Sequence, residues 1–324
     1  MTAAAGKRAA AADAAERIAK VIARSGRCSR RDAEKLIAEG RVKLAGAVVT
    51  TPATLVRAGD PILVDDAPLP EREKARLWRY HKPEGLVTSH RDEKGRPTVF
   101  DRLPDGMPRV ISVGRLDLTS EGLLLLTNDG ELARVLELPS TGWKRRYRVR
   151  AFGRVTDTDL EKLGKGLTVD GVRYGPVEAA LEREQGGNVW LTVSLREGKN
   201  REVRKVLEHL GLTVNRLIRI AYGPFQLGTL DRGAVEEVRR GVLRAQLGSL
   251  LPDGGGTEGA AVARPRPAPT PGERAARRRA QAKAAEGGDA APSAAGRDRT
   301  PRAGSKAGGP RPGGAGHAHR RRKP

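Results

Sequence analysis

The fold is decided by the stretch from Val113 to Gly130, which reads VGRLDLTSEGLLLLTNDG. The apolar run that ends at Val113 predicts a short strand, and Gly114 permits a tight turn directly after it. A second apolar run, Leu123–Leu126, predicts a buried strand that ends in an Asn-Asp-Gly turn. Asp117 falls in the loop between the two strands. Because buried strands hold such a loop rigidly, this position suits a functional carboxylate.

Arg115 lies two residues before this carboxylate. A cation at that distance can lower the pKa of the carboxyl group or bind a phosphate. Spacing alone leaves an alternative open, in which Asp117 caps a turn and Arg115 pairs with Glu121. The flanking segments must therefore decide between a catalytic and a structural loop.

The surrounding residues 77–251 predict an α+β body. The tripeptides Gly186-Gly187-Asn188 and Asn128-Asp129-Gly130 indicate two hairpins. Strand pairs joined by such short turns favour a mixed, mostly antiparallel sheet flanked by helices over a parallel, doubly wound sheet. The predicted strands are Leu86–Thr88, Val110–Val113, Leu123–Thr127, Tyr147–Ala151, Val177–Arg183, Val189–Leu195 and Val214–Ala221.

The segment before the body, residues 14–68, predicts two helices followed by a hairpin. The first helix is expected over Glu16–Ala23, where apolar residues recur at helical spacing. Ser29 is a favourable N-cap for the second, Arg30–Glu39. The hairpin turns at residues 45–47, which read Ala-Gly-Ala between Val42-Lys43-Leu44 and Val48-Val49-Thr50.

Basic side chains gather around the start of the second helix, whose free backbone amides already favour an anion. A solvated surface face is the alternative explanation for such an Arg-rich helix. The whole pattern, with Ser-Arg-Arg-x-Ala-Glu-x-Leu-Ile at residues 29–37, resembles the S4 RNA-binding domain, an αL-like fold. The resemblance implies that RNA contacts come from Arg27, Arg30, Arg31, Lys35, Arg41 and Lys43.

The composition indicates a polyanionic partner. The 324 residues include 61 Lys and Arg against 39 Asp and Glu, a formal net charge of +22. The single cysteine, Cys28, excludes a disulfide framework and a multi-cysteine zinc site, and it is expected to be a packing residue. No apolar run approaches the length of a membrane span, and the opening residues lack the apolar core of a signal peptide. We therefore expect a cytoplasmic protein without membrane contact.

Much of the charge belongs to the C-terminal tail. Residues 253–324 carry 16 Lys and Arg against 6 Asp and Glu, and their one large aliphatic residue is Val262. A segment with so little to bury cannot offset the entropy of ordering, so disorder is expected. Its Arg runs can follow a phosphate backbone by releasing counterions, although a solubilising tail without a partner is the alternative.

Four more motifs accompany the Val113–Gly130 stretch, at His81–Val87, Arg91–Val99, Arg146–Val149 and Glu197–Arg204, the last continuing into Asn215–Arg219. Their sequences and their order closely resemble the RsuA/RluB-type pseudouridine synthases, which act on ribosomal RNA. Together with the S4-like segment, the resemblance covers roughly residues 14–245. It implies a pseudouridine synthase catalytic domain behind an S4 domain.

The resemblance makes Asp117 the catalytic aspartate of a reaction that detaches uracil at N1 and reattaches it at C5, with no metal and no cofactor. Tyr147 matches the active-site tyrosine, an ordinary strand aromatic being the alternative. Arg204 matches an arginine that pairs with the aspartate, whereas pairing with Glu208 at i+4 is the alternative. The uridine must be extruded from folded RNA. Other RNA contacts are expected at Lys82, Arg96, Arg115, Lys199, Asn200 and Arg201.

The S4-like segment and the basic extension favour the large-subunit, RluB-like branch of this family. The expected partner is then 23S ribosomal RNA, or a ribosomal assembly intermediate, bound by a monomer. A 16S enzyme of the RsuA kind and a non-catalytic S4-containing assembly factor are the alternatives. The predicted organisation is a disordered N-terminus (1–13), an S4 domain (14–68), a linker (69–76), a catalytic domain (77–251) and a disordered basic tail (252–324).

Overall fold

A computed structural model describes residues 15–251, apart from the side chain of Ser249. Residues 16–68, which we call the N-terminal module, surround a hydrophobic core of their own that includes Ile18, Ile22 and Ile37. The elements of the module are β1 (Glu16–Arg17), α1 (Ile18–Arg24), α2 (Arg30–Ala38), β2 (Val42–Leu44), β3 (Ala47–Val48), β4 (Leu55–Val56), β5 (Ile62–Val64) and β6 (Ala67–Pro68).

The helix caps and the hairpin of the module follow from local sequence. The Ser29 hydroxyl accepts a hydrogen bond from the backbone N–H of Asp32 at 3.1 Å, so the predicted N-cap of α2 is confirmed. The β2–β3 turn places Ala45 and Gly46 at positive φ, which matches the twist of a tight hairpin. The first helix begins two residues later than predicted, because Glu16–Arg17 pairs with Leu55–Val56 as an antiparallel strand.

Residues 77–251, which we call the body, follow in chain order. The strands are β7 (Leu77–Lys82), β8 (Ile111–Val113), β9 (Glu121–Thr127), β10 (Arg145–Phe152), β11 (Leu167–Val169), β12 (Val172–Tyr174), β13 (Val177–Gln185), β14 (Asn188–Leu195), β15 (Thr213–Tyr222), β16 (Phe225–Gln226) and β17 (Val235–Glu237). The helices are α3 (Gly130–Glu137), α4 (Asp157–Leu163), α5 (Glu202–His209) and α6 (Arg240–Leu247), with 3-10 turns at Phe100–Arg102, Pro139–Thr141 and Gly248–Leu250.

A nine-stranded sheet organises the body, in the order β13-β14-β10-β15-β9-β7-β17, with β8 beside β9 and β16 beside β15. The contact between β9 and β15 is parallel, whereas the other strand pairs described in this sheet are antiparallel. The predicted mixed, mostly antiparallel α+β fold is therefore confirmed.

Strand β9 lies inside the sheet, between β15 and β7, and is buried along its whole length. Leu124 and Leu126 belong to one hydrophobic core, together with Tyr147 of β10. Leu123 and Leu125 belong to a second core. Alternate side chains of a strand point to opposite faces, so the continuous apolar run of β9 reflects a strand covered on both sides.

Two of the predicted local structures are wrong, although the hairpin at Gly186-Gly187 joins β13 to β14 as expected. Asp129 does not turn a hairpin but caps α3, where its Oδ1 accepts hydrogen bonds from the N–H groups of Glu131 and Leu132 at 2.8 and 2.9 Å. An Asx residue before an amphipathic segment serves equally well as an N-cap. Residues 86–88 form no strand and contribute a single bridge from Val87 to Thr98.

The predicted linker, residues 69–76, has no helix or strand but is fastened to the end of β9. Arg72 forms an ion pair with the buried carboxylate of Asp129 at 2.7 Å. The backbone N–H of Arg76 donates to Asn128 Oδ1 at 2.8 Å. The segment therefore follows the body rather than spanning open space.

The predicted disordered segments, 1–13 and 252–324, lie outside the described residues. Between residues 15 and 251, the helices are all too short or too polar to cross a bilayer.

Candidate active site

A cavity of about 520 Å³ opens where the loop after β8 meets β10, β15 and the start of α5. It brings Asp117 and Tyr147 together, and with them four other residues that the sequence pointed to, Arg115, Lys199, Asn200 and Arg201. Apolar side chains complete one wall, at Leu116, Leu195, Val203 and Leu217. A cavity of this size, with one apolar wall and a basic rim, suits a nucleotide rather than a long apolar ligand.

The loop that carries Asp117 is anchored on both sides. Leu116 is buried, and its carbonyl oxygen accepts a hydrogen bond from the Thr88 hydroxyl at 2.8 Å. A turn closes behind it, because the Ser120 N–H donates to the Asp117 carbonyl at 3.0 Å. The Asp117 carboxylate is half-buried and makes no hydrogen bond or ion pair with any described residue. A fixed backbone thus presents an unpartnered carboxylate to the cavity.

The alternative pairing of Arg115 with Glu121 is not formed. Glu121 is buried and forms ion pairs with Arg216 and with Arg232, the latter at 3.0 Å. Arg115 is exposed and lines the cavity beside Asp117. Its guanidinium is therefore available to an anion entering the site.

The prediction that Lys82 faces RNA is wrong. This side chain has no exposed surface, and its ammonium donates to the carbonyl oxygens of Pro83, Asp117 and Ser120 at 3.0, 3.1 and 2.9 Å. Burial lowers the pKa of Lys82 to about 8, partly opposed by the nearby Asp117 carboxylate. The buried lysine therefore stabilises the backbone of the loop that carries Asp117.

Tyr147 stands on β10 with 9% of its surface exposed. A shift of register between Arg146 and Tyr147 interrupts the pairing of β10 with β15 at this position. The ring packs in the core that includes Leu195 and Leu217, which also line the cavity. Its hydroxyl has no hydrogen-bond partner among the described residues. An aromatic ring with a free hydroxyl therefore borders the space in front of Asp117.

Arg204 of α5 is buried. Its Nη1 donates to the Val214 carbonyl at 2.9 Å, and its Nη2 donates to the carbonyl and hydroxyl of Thr119 at 3.1 Å. Burial lowers the pKa of this guanidinium, against the opposing effect of the Asp117 charge.

Neither ion pair considered for Arg204 is formed within the described chain. No carboxylate oxygen of Asp117 or Glu208 lies within 4.0 Å of its nitrogens, and its Nε has no hydrogen-bond partner. The arginine instead ties α5 and β15 to Thr119, two residues after Asp117. Its link to the aspartate therefore runs through the loop backbone.

The basic residues before α5 line the cavity and belong to a loop, because the helix begins at Glu202. Arg201 adopts a left-handed conformation with φ of 51°, which turns the chain into the helix. The Lys199 ammonium already donates hydrogen bonds to the Arg173 carbonyl at 2.8 Å and to the Glu197 carboxylate at 2.6 Å. Asn200 and Arg201 are exposed at the rim.

Sequence reasoning missed Arg219, which lines the cavity from β15. It is 2% exposed, its Nε donates to the Leu123 carbonyl at 2.7 Å, and its Nη2 has no partner. Its guanidinium lies 5.1 Å from the Tyr222 ring centre. The residue ends the Asn215–Arg219 motif, but nothing in the local sequence distinguishes it from an exposed arginine on a strand.

The predicted RNA-binding residues of the N-terminal module form two groups, those close to an acidic side chain and those without an ion pair. Arg41 pairs with Asp65 at 2.6 Å and Lys43 pairs with Asp66 at 2.6 Å, while Arg27 lies 3.5 Å from Asp65. The remaining three, Arg30, Arg31 and Lys35, form no ion pair with the described residues and line a second cavity.

Arg96 of the body is also neutralised locally. Its guanidinium pairs with the Asp92 carboxylate at 2.6 Å, and this contact holds the pKa of Asp92 below its usual range. The arginine lines neither of the two cavities described here. Cys28 packs against the core of the N-terminal module, as predicted.

Comparison with known proteins identifies the family. A model described as "RNA pseudouridylate synthase" matches residues 76–209, and one described as "S4 domain" matches residues 16–62. An uncharacterized RNA pseudouridine synthase of Rickettsia felis is 50% identical over 228 residues, which cover 70% of this chain and 99% of the relative. The chain belongs to the RNA pseudouridine synthase family.

Two other proteins that resemble this pseudouridine synthase carry related names. Ribosomal large subunit pseudouridine synthase B of Pasteurella multocida is 43% identical over 230 residues, which cover 69% of this chain and 67% of the relative. A solved pseudouridylate synthase structure is 27% identical, with a TM-score of 0.49, covering 69% of this chain and 96% of that chain. The expected S4 domain and pseudouridine synthase activity on RNA are confirmed.

Proposed function

We propose that this enzyme converts one uridine of 23S ribosomal RNA to pseudouridine in the cytoplasm, acting as a monomer. The assignment of the site rests on one observation, the unpartnered Asp117 carboxylate in a cavity that Tyr147 also lines. The choice of the large-subunit RNA rests on the relative named ribosomal large subunit pseudouridine synthase B, at 43% identity.

The reaction breaks the bond between C1′ of the ribose and N1 of uracil and forms a bond between C1′ and C5. The C5 proton is lost and N1 gains a proton, so no atom is added or removed overall. Asp117 supplies the ionised carboxylate, which acts on the nucleoside as a nucleophile or base. No step of this isomerisation calls for an external oxidant or reductant.

The residues around the carboxylate divide the remaining tasks. Tyr147 offers its ring to the uracil and its hydroxyl to a moving proton. Lys82 holds the backbone carbonyl of the aspartate itself, and Arg204 holds that of Thr119, two residues further on. A target inside folded RNA must be extruded to reach this cavity. The exposed Arg115 and Arg201 can hold the adjoining phosphates.

The test uses the purified full chain with 16S and 23S ribosomal RNA, followed by mapping of pseudouridine. We expect one modified position in 23S RNA, no product with Asp117→Asn, and RNA affinity within about twofold of the wild type for that variant. Asp105→Asn is the matched control, since this aspartate lies in an exposed turn without side-chain contacts among the described residues. It should leave activity unchanged.

Each alternative corresponds to a different result. Modification confined to 16S RNA would assign the enzyme to the small subunit. Tight binding without product on either RNA would favour an assembly factor that uses only its RNA-binding surfaces. Normal turnover by Asp117→Asn would remove the aspartate from the mechanism.

A further inference from the structure

A second cavity, of about 900 Å³, separates the N-terminal module from the body. One wall is formed by α2, and the opposite wall by residues 88–91 and Glu93 together with Phe100 and Arg109. Ser112 and Arg115 line this cavity and the Asp117 cavity alike. The two spaces are therefore adjacent, and a strand of RNA whose target uridine occupies the first can continue into the second.

The second cavity is strongly basic. Six cations line it, Arg30, Arg31, Lys35, Arg91, Arg109 and Arg115, against the two carboxylates of Asp32 and Glu93. Arg91 and Asp32 approach each other only to 3.9 Å. The other five cations form no ion pair with any described residue. Such an excess of unpaired positive charge favours a polyanion.

The same cavity contains a stacked pair of rings. His90 and Phe100 lie nearly parallel, with 3.5 Å between ring centres and 13° between planes. Burial and the Arg109 charge lower the pKa of His90, which favours the neutral imidazole. Two stacked rings beside unpaired guanidinium groups match the way proteins hold unpaired RNA bases.

We propose that this cavity binds an unpaired nucleotide close to the target uridine, with its base against the His90–Phe100 pair and its phosphates against the surrounding arginines. The inference rests on the proposed function, because it places the target uridine at Asp117. It adds a second base-binding site, which would help to select one uridine among many. An acidic peptide would also be attracted by the charge, but the stacked rings favour a nucleobase.

The test measures binding rather than turnover, so that it does not depend on the proposed chemistry. All proteins carry Asp117→Asn, and the probes are labelled RNA oligonucleotides that span the uridine found by mapping. In each oligonucleotide one nucleotide near the target is replaced by an abasic one. We compare the Asp117→Asn parent with His90→Ala, with His90→Phe and with the control His209→Ala. His209 is exposed in the last turn of α5 and faces neither cavity.

One abasic position should weaken binding by the parent about 5- to 150-fold, the usual effect of losing one stacked base. His90→Ala should weaken binding of the intact RNA by a similar factor. Its affinity should then not fall further when the nucleotide at that position is made abasic. His90→Phe should restore the sensitivity, and His209→Ala should resemble the parent. Equal thermal unfolding temperatures would show that the variants are folded.

The proposal is overturned if every abasic position affects the parent and His90→Ala alike. It is also overturned if an Asp- and Glu-rich peptide competes with the RNA while no abasic position matters, since the cavity would then bind protein. Failure of the 23S assignment would appear separately, in the mapping experiment. The base-binding result would stand on whichever RNA that mapping identifies.

Discussion

The buried ammonium of Lys82 donates a hydrogen bond to the backbone carbonyl of Asp117 at 3.1 Å. It also reaches the Ser120 carbonyl at 2.9 Å, so one cation spans both ends of the turn that presents the carboxylate. Desolvation of a charge is costly, and this cost is offset here by three carbonyl dipoles. The site thus depends on a positioning residue that need not touch the RNA.

Replacing Lys82 with Met should slow the chemistry more than it weakens RNA binding. Met keeps a similar length but leaves the Asp117 and Ser120 carbonyls without their donor. A displacement of about 1 Å in a catalytic group can cost about 100-fold in rate. We expect kcat to fall about 100-fold with Kd for RNA almost unchanged, as measured by single-turnover product formation and fluorescence anisotropy. Lys94→Met, an exposed control, should behave as wild type.

The stability contribution of Lys82 should rise with pH. Burial lowers its folded-state pKa from 10.5 to about 8. Between these two values the unfolded chain binds a proton that the folded protein has released, so the contribution grows across that interval and is constant below it. The unfolding free energy of wild type minus that of Lys82→Met, measured in urea from pH 7 to 10, should therefore increase above pH 8. A flat difference would contradict the lowered pKa.

At Gly122 the backbones of β9 and β15 approach each other too closely to leave room for any side chain. A Cβ there would lie 2.3 Å from the Arg219 carbonyl oxygen and 2.7 Å from its nitrogen, at a φ of +106°. Gly122→Ala should destabilise the fold by about 3 kcal/mol or more, because strain and overpacking add. Gly85→Ala is the control, with φ +86° but open space around its Cβ. It should cost about 1 kcal/mol, and equal urea midpoints for the two variants would refute the close approach.

Tyr147→Phe removes the hydroxyl but keeps the ring, so it distinguishes the contributions of the two groups. The ring is packed while the hydroxyl has no partner among the described residues, so the variant should fold and bind RNA normally. If the hydroxyl moves a proton, kcat should fall about 100-fold or more. Tyr80→Phe removes another buried, unpartnered hydroxyl outside the cavity and should not affect kcat. Unchanged turnover by Tyr147→Phe would reduce the residue to a stacking role.

Deleting residues 253–324 should weaken RNA binding and flatten its dependence on salt. The tail contributes 16 Lys and Arg, and each cation that meets a phosphate releases a counterion. The modified uridine should not change, because such contacts carry no sequence information. Affinity measured from 50 to 300 mM KCl, with pseudouridine mapping of both proteins, checks this. A shifted target would mean that the tail selects the site.

Local signals were sufficient for much of the fold. The N-cap at Ser29 and the hairpin at Gly186-Gly187 depend on a few neighbouring residues, and both were predicted correctly. The same is true of the apolar run at β9 and the loop that holds Asp117. Asp129 was misassigned because an Asp-Gly pair suits a hairpin and a helix start equally well, and only the packing of α3 decides between them.

The chain by itself determined that a carboxylate sits in a rigid loop between buried strands and that an Arg-rich helix precedes it, since both follow from near neighbours. Only the tertiary structure decided that Lys82 and Arg204 are interior cations. Their acceptors lie up to 38 and 85 residues away, and no periodicity encodes such contacts. It alone also brought α2 opposite His90 and Phe100 across a shared cavity. Whether a cation meets water, carbonyl oxygens or RNA depends on which distant segments close around it.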